Sequence, residues 1–282
     1  MHEREIERLG RDIVPGAGNL KIEHLSSGLL NEVYRILRDD AAYVLRLATE
    51  HPVRPGLELP WVVEILESAA GAGIAPRLVH ADPARGVLLL RWVDGRSWLP
   101  REAQTPACIV RMADLLRRVH ALPIPAKARP TSPASWIEIY RGRPDSILQE
   151  IAASKTADLA ALSKPRDVVC HSDLHLQNLI ECDASLMLLD WEYAHVSDPL
   201  WDVAGWSANN DFDHESQREL LTAYLGKVAA ADDLARFRLL CWLYDYVCLL
   251  WSGLYLASRG DPAGSVAARA TLLDARLRIP AH

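Results

Sequence analysis

The chain has 282 residues, 50% of them hydrophobic and 24% charged, with a formal net charge of −6. This is the composition of a soluble globular protein with ample material for a core, and the acidic balance argues against a nucleic-acid partner, which would want a basic face. The cysteines (108, 170, 182, 241 and 248) are odd in number and form no C-x-x-C pair, so a reduced, cytoplasmic protein without a disulfide framework is expected.

The opening residues, MHEREIERLGRD, are polar with no apolar signal core, and residues 2–11 are predicted to form a short amphipathic helix. Strand-length apolar runs at 20–25, 33–37 and 42–47 follow, separated by turn formers, and predict a meander. The segment between the first two runs, Ser26-Ser27-Gly28-Leu29-Leu30-Asn31-Glu32, holds small residues that let backbone approach a ligand closely. Arg46 stands between apolar neighbours in the third run. After a connector punctuated by Pro52, Pro55 and Pro60 comes a predicted helix over 61–70, then two more strands at 77–80 and 87–91. From there the pattern turns helical: 107–122, a loop carrying Pro123, Pro125, Pro130 and Pro133, then 145–162, 216–226, 232–258 and a final helix ending near Arg278.

Residues 239–257 carry a single charge, Asp245. At the centre of a bilayer that carboxylate would cost about 2.5–3.5 kcal/mol, and a helix buried within a large lobe explains the same pattern, so no membrane insertion is expected. Unrolled as a helix, Asp245 shares a face with Trp242, Leu249 and Ser252, while Tyr244, Trp251 and Tyr255 form a separate stripe. An ionised Asp245 there needs a partner, either an arginine such as Arg238 or Arg259, or the positive charge of a substrate.

The chemistry concentrates in residues 168–202, VVCHSDLHLQNLIECDASLMLLDWEYAHVSDPLWD. Two short apolar runs, 168–170 and 186–189, read as buried strands, each ending in a polar cluster: His171, Asp173 and Asn178 after the first, Asp190 and Glu192 after the second. Phosphoryl transfer needs one carboxylate to orient and deprotonate the accepting hydroxyl, and hard oxygen ligands to hold Mg²⁺ against the phosphates. Asp173 suits the first role; the Asn178 amide and the Asp190 carboxylate suit the second. A zinc hydrolase would instead recruit Cys170, His171, Asp173, His175 and Cys182, but no second His pair with ligand spacing follows.

At these residues the chain resembles the aminoglycoside phosphotransferase and choline kinase family, especially its choline, ethanolamine and thiamine kinase members. "HSDLHLQNLI" is similar to that family's catalytic loop, and "LLDWEYAHVSDPLWDVA" to its metal-binding segment. The resemblance implies an α+β, protein-kinase-like two-lobed fold: a small antiparallel-sheet lobe over 1–94 that binds nucleotide, and a larger, mostly helical lobe over 95–282. It implies ATP and Mg²⁺ as cofactors, with Ser27, Gly28 and Asn31 in the nucleotide loop and Arg46 at the phosphates. Glu64, or Glu58, would pair with Arg46, and backbone near Trp92 and Val93 would meet adenine. The expected acceptor is a small-molecule alcohol, cationic in type, held by Asp173, Glu192, Trp242 and Asp245. An aminoglycoside or amino-sugar phosphotransferase, and a nucleotide-binding pseudokinase, are the alternatives.

Overall fold

The computed structural model describes residues 3–27, 31–48, 61–140, 145–162, 166–183, 185–259, 261 and 263–279. Helix α1 (Glu3–Ile13) precedes strands β1 (Leu20–Ser27), β2 (Asn31–Arg38) and β3 (Ala41–Ala48); α2 (Val62–Gly71), β4 (Leu78–Asp82) and β5 (Val87–Arg91) follow. The strands form one antiparallel sheet in the order β1-β2-β3-β5-β4. Alternation along β3 sends Tyr43, Leu45 and Leu47 to one face, where they pack with Ile36, Leu89 and the Ile6–Leu9 stripe of α1. The intervening Arg46 is left on the opposite face, toward the rest of the chain.

Beyond β5 the chain crosses directly onto a hairpin of the catalytic region. Arg96 and Glu181 exchange backbone hydrogen bonds of 3.0 and 2.8 Å. A Cβ on Gly95 would lie 2.5 Å from the Glu181 carbonyl oxygen and 2.8 Å from Ile180 Cγ1, so the crossing requires glycine because backbone approaches backbone.

The remainder comprises α3 (Pro100–Ala103), α4 (Pro106–His120), α5 (Pro133–Ile139), α6 (Ser146–Ala161), β6 (Val168–Cys170), β7 (Leu179–Cys182), β8 (Ser185–Leu188), β9 (His195–Ser197), α7 (Pro199–Asn209), α8 (His214–Leu225), α9 (Ala231–Arg259) and α10 (Ser265–Leu277). Two helices depart from the sequence reading. The proline loop ends sooner than expected, because Pro133 is the first residue of α5, capped by Ser132 Oγ accepting from Ser135 N. The segment after Asp198 is a helix whose cap is that aspartate, accepting from Leu200 N at 2.9 Å. Both are starts of the cap-then-proline type.

One core runs through both halves: Ile65, Leu66, Ile74 and Leu90 belong to the same buried cluster as Trp98, Leu116, Trp206 and Leu243. At its centre lies α9, packed by α5, α6, α7 and α10. Residues Ala231–Ser258 are long and apolar enough to cross a membrane by length and composition, and packing on four helices accounts for that pattern.

Asp245 and Trp242 do not sit where the sequence reading put them. Asp245 pairs with Arg276 of α10, Oδ1 to Nη2 at 2.5 Å, while Trp242 donates to the Leu277 carbonyl at 3.2 Å and stacks on Tyr246. Their face of α9 is turned toward α6 and α10.

Burial pushes the Asp245 carboxyl up to about 6 despite Arg276 beside it. The folded state therefore holds this proton to higher pH than the unfolded chain, so the group's contribution to stability falls as pH rises from about 4 to 6. Asp245→Asn cannot titrate. Its melting temperature relative to wild type is expected to improve between pH 4 and pH 7, by the equivalent of on the order of 2 kcal/mol. A pH-independent gap in calorimetric scans would show that Asp245 titrates as in water.

Candidate active site

The loop after β6 is held from below. Ser172 adopts a left-handed backbone conformation, φ 69°, and this exposes successive amides to one acceptor. The fully buried Asp202 of α7 takes both, from His171 N and Ser172 N, each at 2.8 Å. Its Oδ2 also accepts from His120 Nε2 at 3.2 Å, and the Tyr224 hydroxyl lies 2.8 Å from the other ring nitrogen. Burial alone would raise the Asp202 carboxyl; the bonds from His120 and the His171 amide hold it below its usual range. Neither Asp202, at the end of the quoted motif, nor His120 is singled out by the sequence pattern.

His171 is the second tie. Burial lowers its basicity, its Nε2 donates to the Leu189 carbonyl at 2.8 Å, and Nδ1 accepts from Asp173 N at 3.3 Å. The imidazole thus links the loop to the residue preceding Asp190, with both nitrogens committed. Asp190 itself is left-handed, φ 58°, which a short polar side chain tolerates.

These ties bring Asp173, Asn178 and Asp190 to the lining of one cavity. Asn178 Nδ2 donates to the Asp173 carbonyl (2.9 Å) and to Asp173 Oδ2 (2.8 Å). The amide nitrogen is thereby spent, leaving the amide oxygen as the metal-competent atom. Asp173 is opposed by burial, yet the His175 and Asn178 side chains keep its carboxyl below the usual range. It is ionised and able to accept a proton. The amide oxygen and the Asp190 carboxylate are hard donors of the kind Mg²⁺ takes.

Arg46 forms ion pairs with Asp190 Oδ1 (2.8 Å) and Glu192 Oε2 (3.3 Å), and Asn31 Nδ2 donates to the same Glu192 oxygen at 3.0 Å. Burial, aided by Asp190, pushes the Glu192 carboxyl up to about 7, against the pull of Arg46. Glu64 is not the partner of Arg46. With Ile65, Leu66 and Ala69 turned inward, Glu64 is left exposed on α2. Glu58 and Gly28 lie outside the described residues, and Ser27 ends β1 opposite Glu32. Trp92 gives its backbone N–H to the Ala42 carbonyl at 3.0 Å, so that N–H is not free for adenine as the resemblance implied. Its indole donates to Asp94 and lies under Arg35, and neither Trp92 nor Val93 lines the cavity around Asp173.

The cavity encloses about 640 Å³. Its lining includes Asn31, Arg46, Asp173, Asn178, Asp190 and Glu192 together with the rings of Trp136, Tyr140, Tyr193, Trp201, Tyr244 and Trp251. Trp136 stacks on Tyr140 with centroids 5.5 Å apart, Trp201 meets Tyr244 at 5.1 Å, and Trp251 Nε1 donates to the Tyr193 hydroxyl at 3.1 Å. The Tyr244–Trp251 stripe of α9 therefore faces the cavity, and the Trp242–Asp245 face does not. Trp136, Tyr140, Tyr193 and Trp201 were not singled out from the sequence.

The zinc alternative loses its ligands, since His171 is committed to backbone. Among the described residues the grouping of metal-competent atoms is a different one, His120, Cys170 and Asp202, within 4.8 Å of one another. It is the buried scaffold just described, with His120 and Asp202 already bonded.

Comparison with known proteins bears on the family and the fold. The model of the phosphotransferase enzyme family matches residues 21–240. Among solved structures, a choline/ethanolamine kinase family protein from Mesorhizobium loti superposes with a TM-score of 0.76 at 24% identity, covering 98% of this chain and 93% of that one. The choline kinase LicA from Streptococcus pneumoniae gives 0.78 at 20%, covering 98% of each chain. The macrolide 2'-phosphotransferase MphH from Brachybacterium faecium gives 0.65 at 16%, covering 99% and 98%. At these identities the likeness shows the fold, an antiparallel-sheet region followed by a helical one. A comparison with curated proteins finds no sequence match. With the segment from His171 to Asp202 inside the matched span, the chain belongs to the phosphotransferase enzyme family.

Proposed function

We propose that this protein transfers the γ-phosphoryl group of ATP to a hydroxyl of a small, cationic metabolite of the choline, ethanolamine or thiamine type, in the cytoplasm. The observation that carries the reading is the cavity whose lining joins an ionised carboxylate, Asp173, to hard oxygen donors and to six aromatic rings. A nucleotide in this fold has support from LicA, solved in complex with AMP.

In this reading residues 1–94 form the nucleotide lobe, with Ser27, Gly28 and Asn31 at the phosphates and Val93 toward adenine. Residues 95–282 carry catalysis and the acceptor. Asp173 orients the accepting hydroxyl and takes its proton as the new P–O bond forms. Asn178 and Asp190 would hold Mg²⁺, which when bound neutralises charge on the transferring phosphates. Arg46, already between Asp190 and Glu192, presents a fixed positive charge on the same side. An ammonium group against Trp and Tyr faces gains about 0.5–2 kcal/mol per good contact, and Glu192, when ionised, adds Coulomb attraction that Asp245 is not placed to give.

Asp173→Asn is expected to keep ADP binding and a melting temperature within about 3 °C of wild type, while turnover falls about 10²–10⁴-fold. Turnover within threefold of wild type would remove Asp173 from the mechanism.

Asp190→Ala is expected to abolish Mg²⁺-dependent transfer, and Asn178→Ala to be milder because a neutral amide is the weaker ligand. An unchanged Mg²⁺ titration in Asp190→Ala would overturn the metal assignment. Transfer from labelled ATP across choline, ethanolamine, thiamine, amino sugars and aminoglycosides tests the acceptor class. Phosphorylation of aminoglycosides alone would replace it, and a protein that binds ADP but transfers to nothing would be a pseudokinase.

A further inference from the structure

The cavity contains a cation that a purely cationic acceptor cannot use. Arg269, in α10, is half-buried and lines the same cavity as Asp173. Its Nη2 donates to Asn209 Oδ1 at 3.0 Å. Asn209 in turn donates to the Leu174 carbonyl at 2.9 Å and to the Tyr244 hydroxyl at 3.0 Å, and that hydroxyl reaches the Ser172 carbonyl at 3.5 Å. Arg269 is therefore indexed, through a single asparagine, to the backbone on either side of Asp173.

Its charge is not locally neutralised by contact. Among the described residues no carboxylate lies within 4.0 Å of it; the acid that feels it through space, Asp245, is bonded to Arg276 instead. A guanidinium has donors to spare beyond the one Asn209 accepts, and its planar fork matches a carboxylate. Lining a cavity whose acids lie more than 4.0 Å away among the described residues, those donors are left for water or a ligand. A simple ammonium alcohol leaves them unmatched and is repelled by the charge. An acceptor with both signs of charge satisfies the aromatic wall and Arg269 together.

We infer that the acceptor is a zwitterionic alcohol, a hydroxyl-bearing amino acid or betaine, whose carboxylate is bound by Arg269. This rests on the phosphotransfer reading of Asp173 and revises its acceptor class, keeping the ammonium group and adding a carboxylate. The hydroxyl oxygen forms the new bond to the γ-phosphorus as the bond to the bridging oxygen breaks. The electron pair of that bond leaves with ADP, the hydroxyl proton goes to Asp173, and the ammonium and carboxylate groups are unchanged.

Matched pairs differing only by the carboxylate test it: carnitine and β-methylcholine, serine and ethanolamine, homoserine and 3-aminopropan-1-ol, each with ATP and Mg²⁺. For at least one pair, wild-type kcat/KM should favour the acid about tenfold or more, the scale of a charge-assisted contact. Arg269→Gln should bring that ratio near one through KM rather than kcat, and Arg269→Lys should fall between, with melting temperatures showing that both variants fold. Transfer to the carboxylate-free members with no preference for the acids, or a preference that Arg269→Gln leaves in place, overturns the carboxylate site while phosphotransfer stands. If no member is phosphorylated, calorimetry of the same pairs in the presence of ADP and Mg²⁺ decides. Acid-selective binding lost in Arg269→Gln upholds the site without the reaction, and equal or absent binding overturns it.

Discussion

A single buried carboxylate, Asp202, fixes the loop that brings Asp173 to the cavity. Hydrogen bonds to an ionised group are worth about 1.5–3 kcal/mol each, and a buried charge left without them is strongly penalised. Asp202 accepts two successive backbone amides and one imidazole, so its tolerance inside the protein depends on the loop holding one shape. That shape includes a left-handed Ser172 and delivers Asp173 to the cavity. The His171 imidazole then relays the constraint across to Leu189, so the segment carrying Asp190 is registered against the segment carrying Asp173. Two cavity carboxylates seventeen positions apart in the chain answer to one anchor.

The anchor is itself anchored. Asp198 caps α7, which carries Asp202 four residues on, and its other oxygen is held by Arg236 of α9 at 2.5 and 2.7 Å, an ion pair that is buried on both sides. Pairs of this kind contribute little net stability relative to apolar replacements but are costly to break. What this one supplies is position: the start of α7 cannot shift along α9 without stranding two charges. The same α9 presents Tyr244 and Trp251 to the cavity, so acceptor wall and catalytic loop are referenced to one helix.

How far the sequence could be read follows from how local each feature is. Asp173, Asn178 and Asp190 were legible because loop and hairpin bring them together within a short span, and chemistry restricts which residue types serve. Arg46 was legible from strand alternation, but its partners were not. Asp190 and Glu192 reach it from across the cleft, and Glu64 loses because three apolar neighbours claim the inner face of α2. The cavity face of α9 was misassigned for a related reason. A helix buried on nearly every side offers no polar face to orient by, so periodicity separates its stripes without saying which one meets a cavity and which meets α10. The helices holding Trp136 and Trp201 carried a usable signal, Ser132-Pro133 and Asp198-Pro199, which density of proline concealed in the first case and proximity to the motif in the second.

The uneven legibility has a physical basis in how the site is divided. Groups that would act on the phosphoryl come mostly from one stretch of chain, tied together by backbone hydrogen bonds. Groups that would meet the acceptor come from α5, α7, α9, α10 and the turn holding Tyr193, with α9 contributing several and the others one or two each. Trp136 and Trp201 are themselves buried in the core, and Arg269 is bonded to Asn209 of α7, so these groups are packed as one unit with the loop they face. A wall assembled from so many separate elements has no single stretch of sequence that announces it. The reaction is therefore written in a motif, and the acceptor only in three dimensions: for this chain, in the coexistence of an aromatic wall with an arginine that no neighbouring acid neutralises by contact.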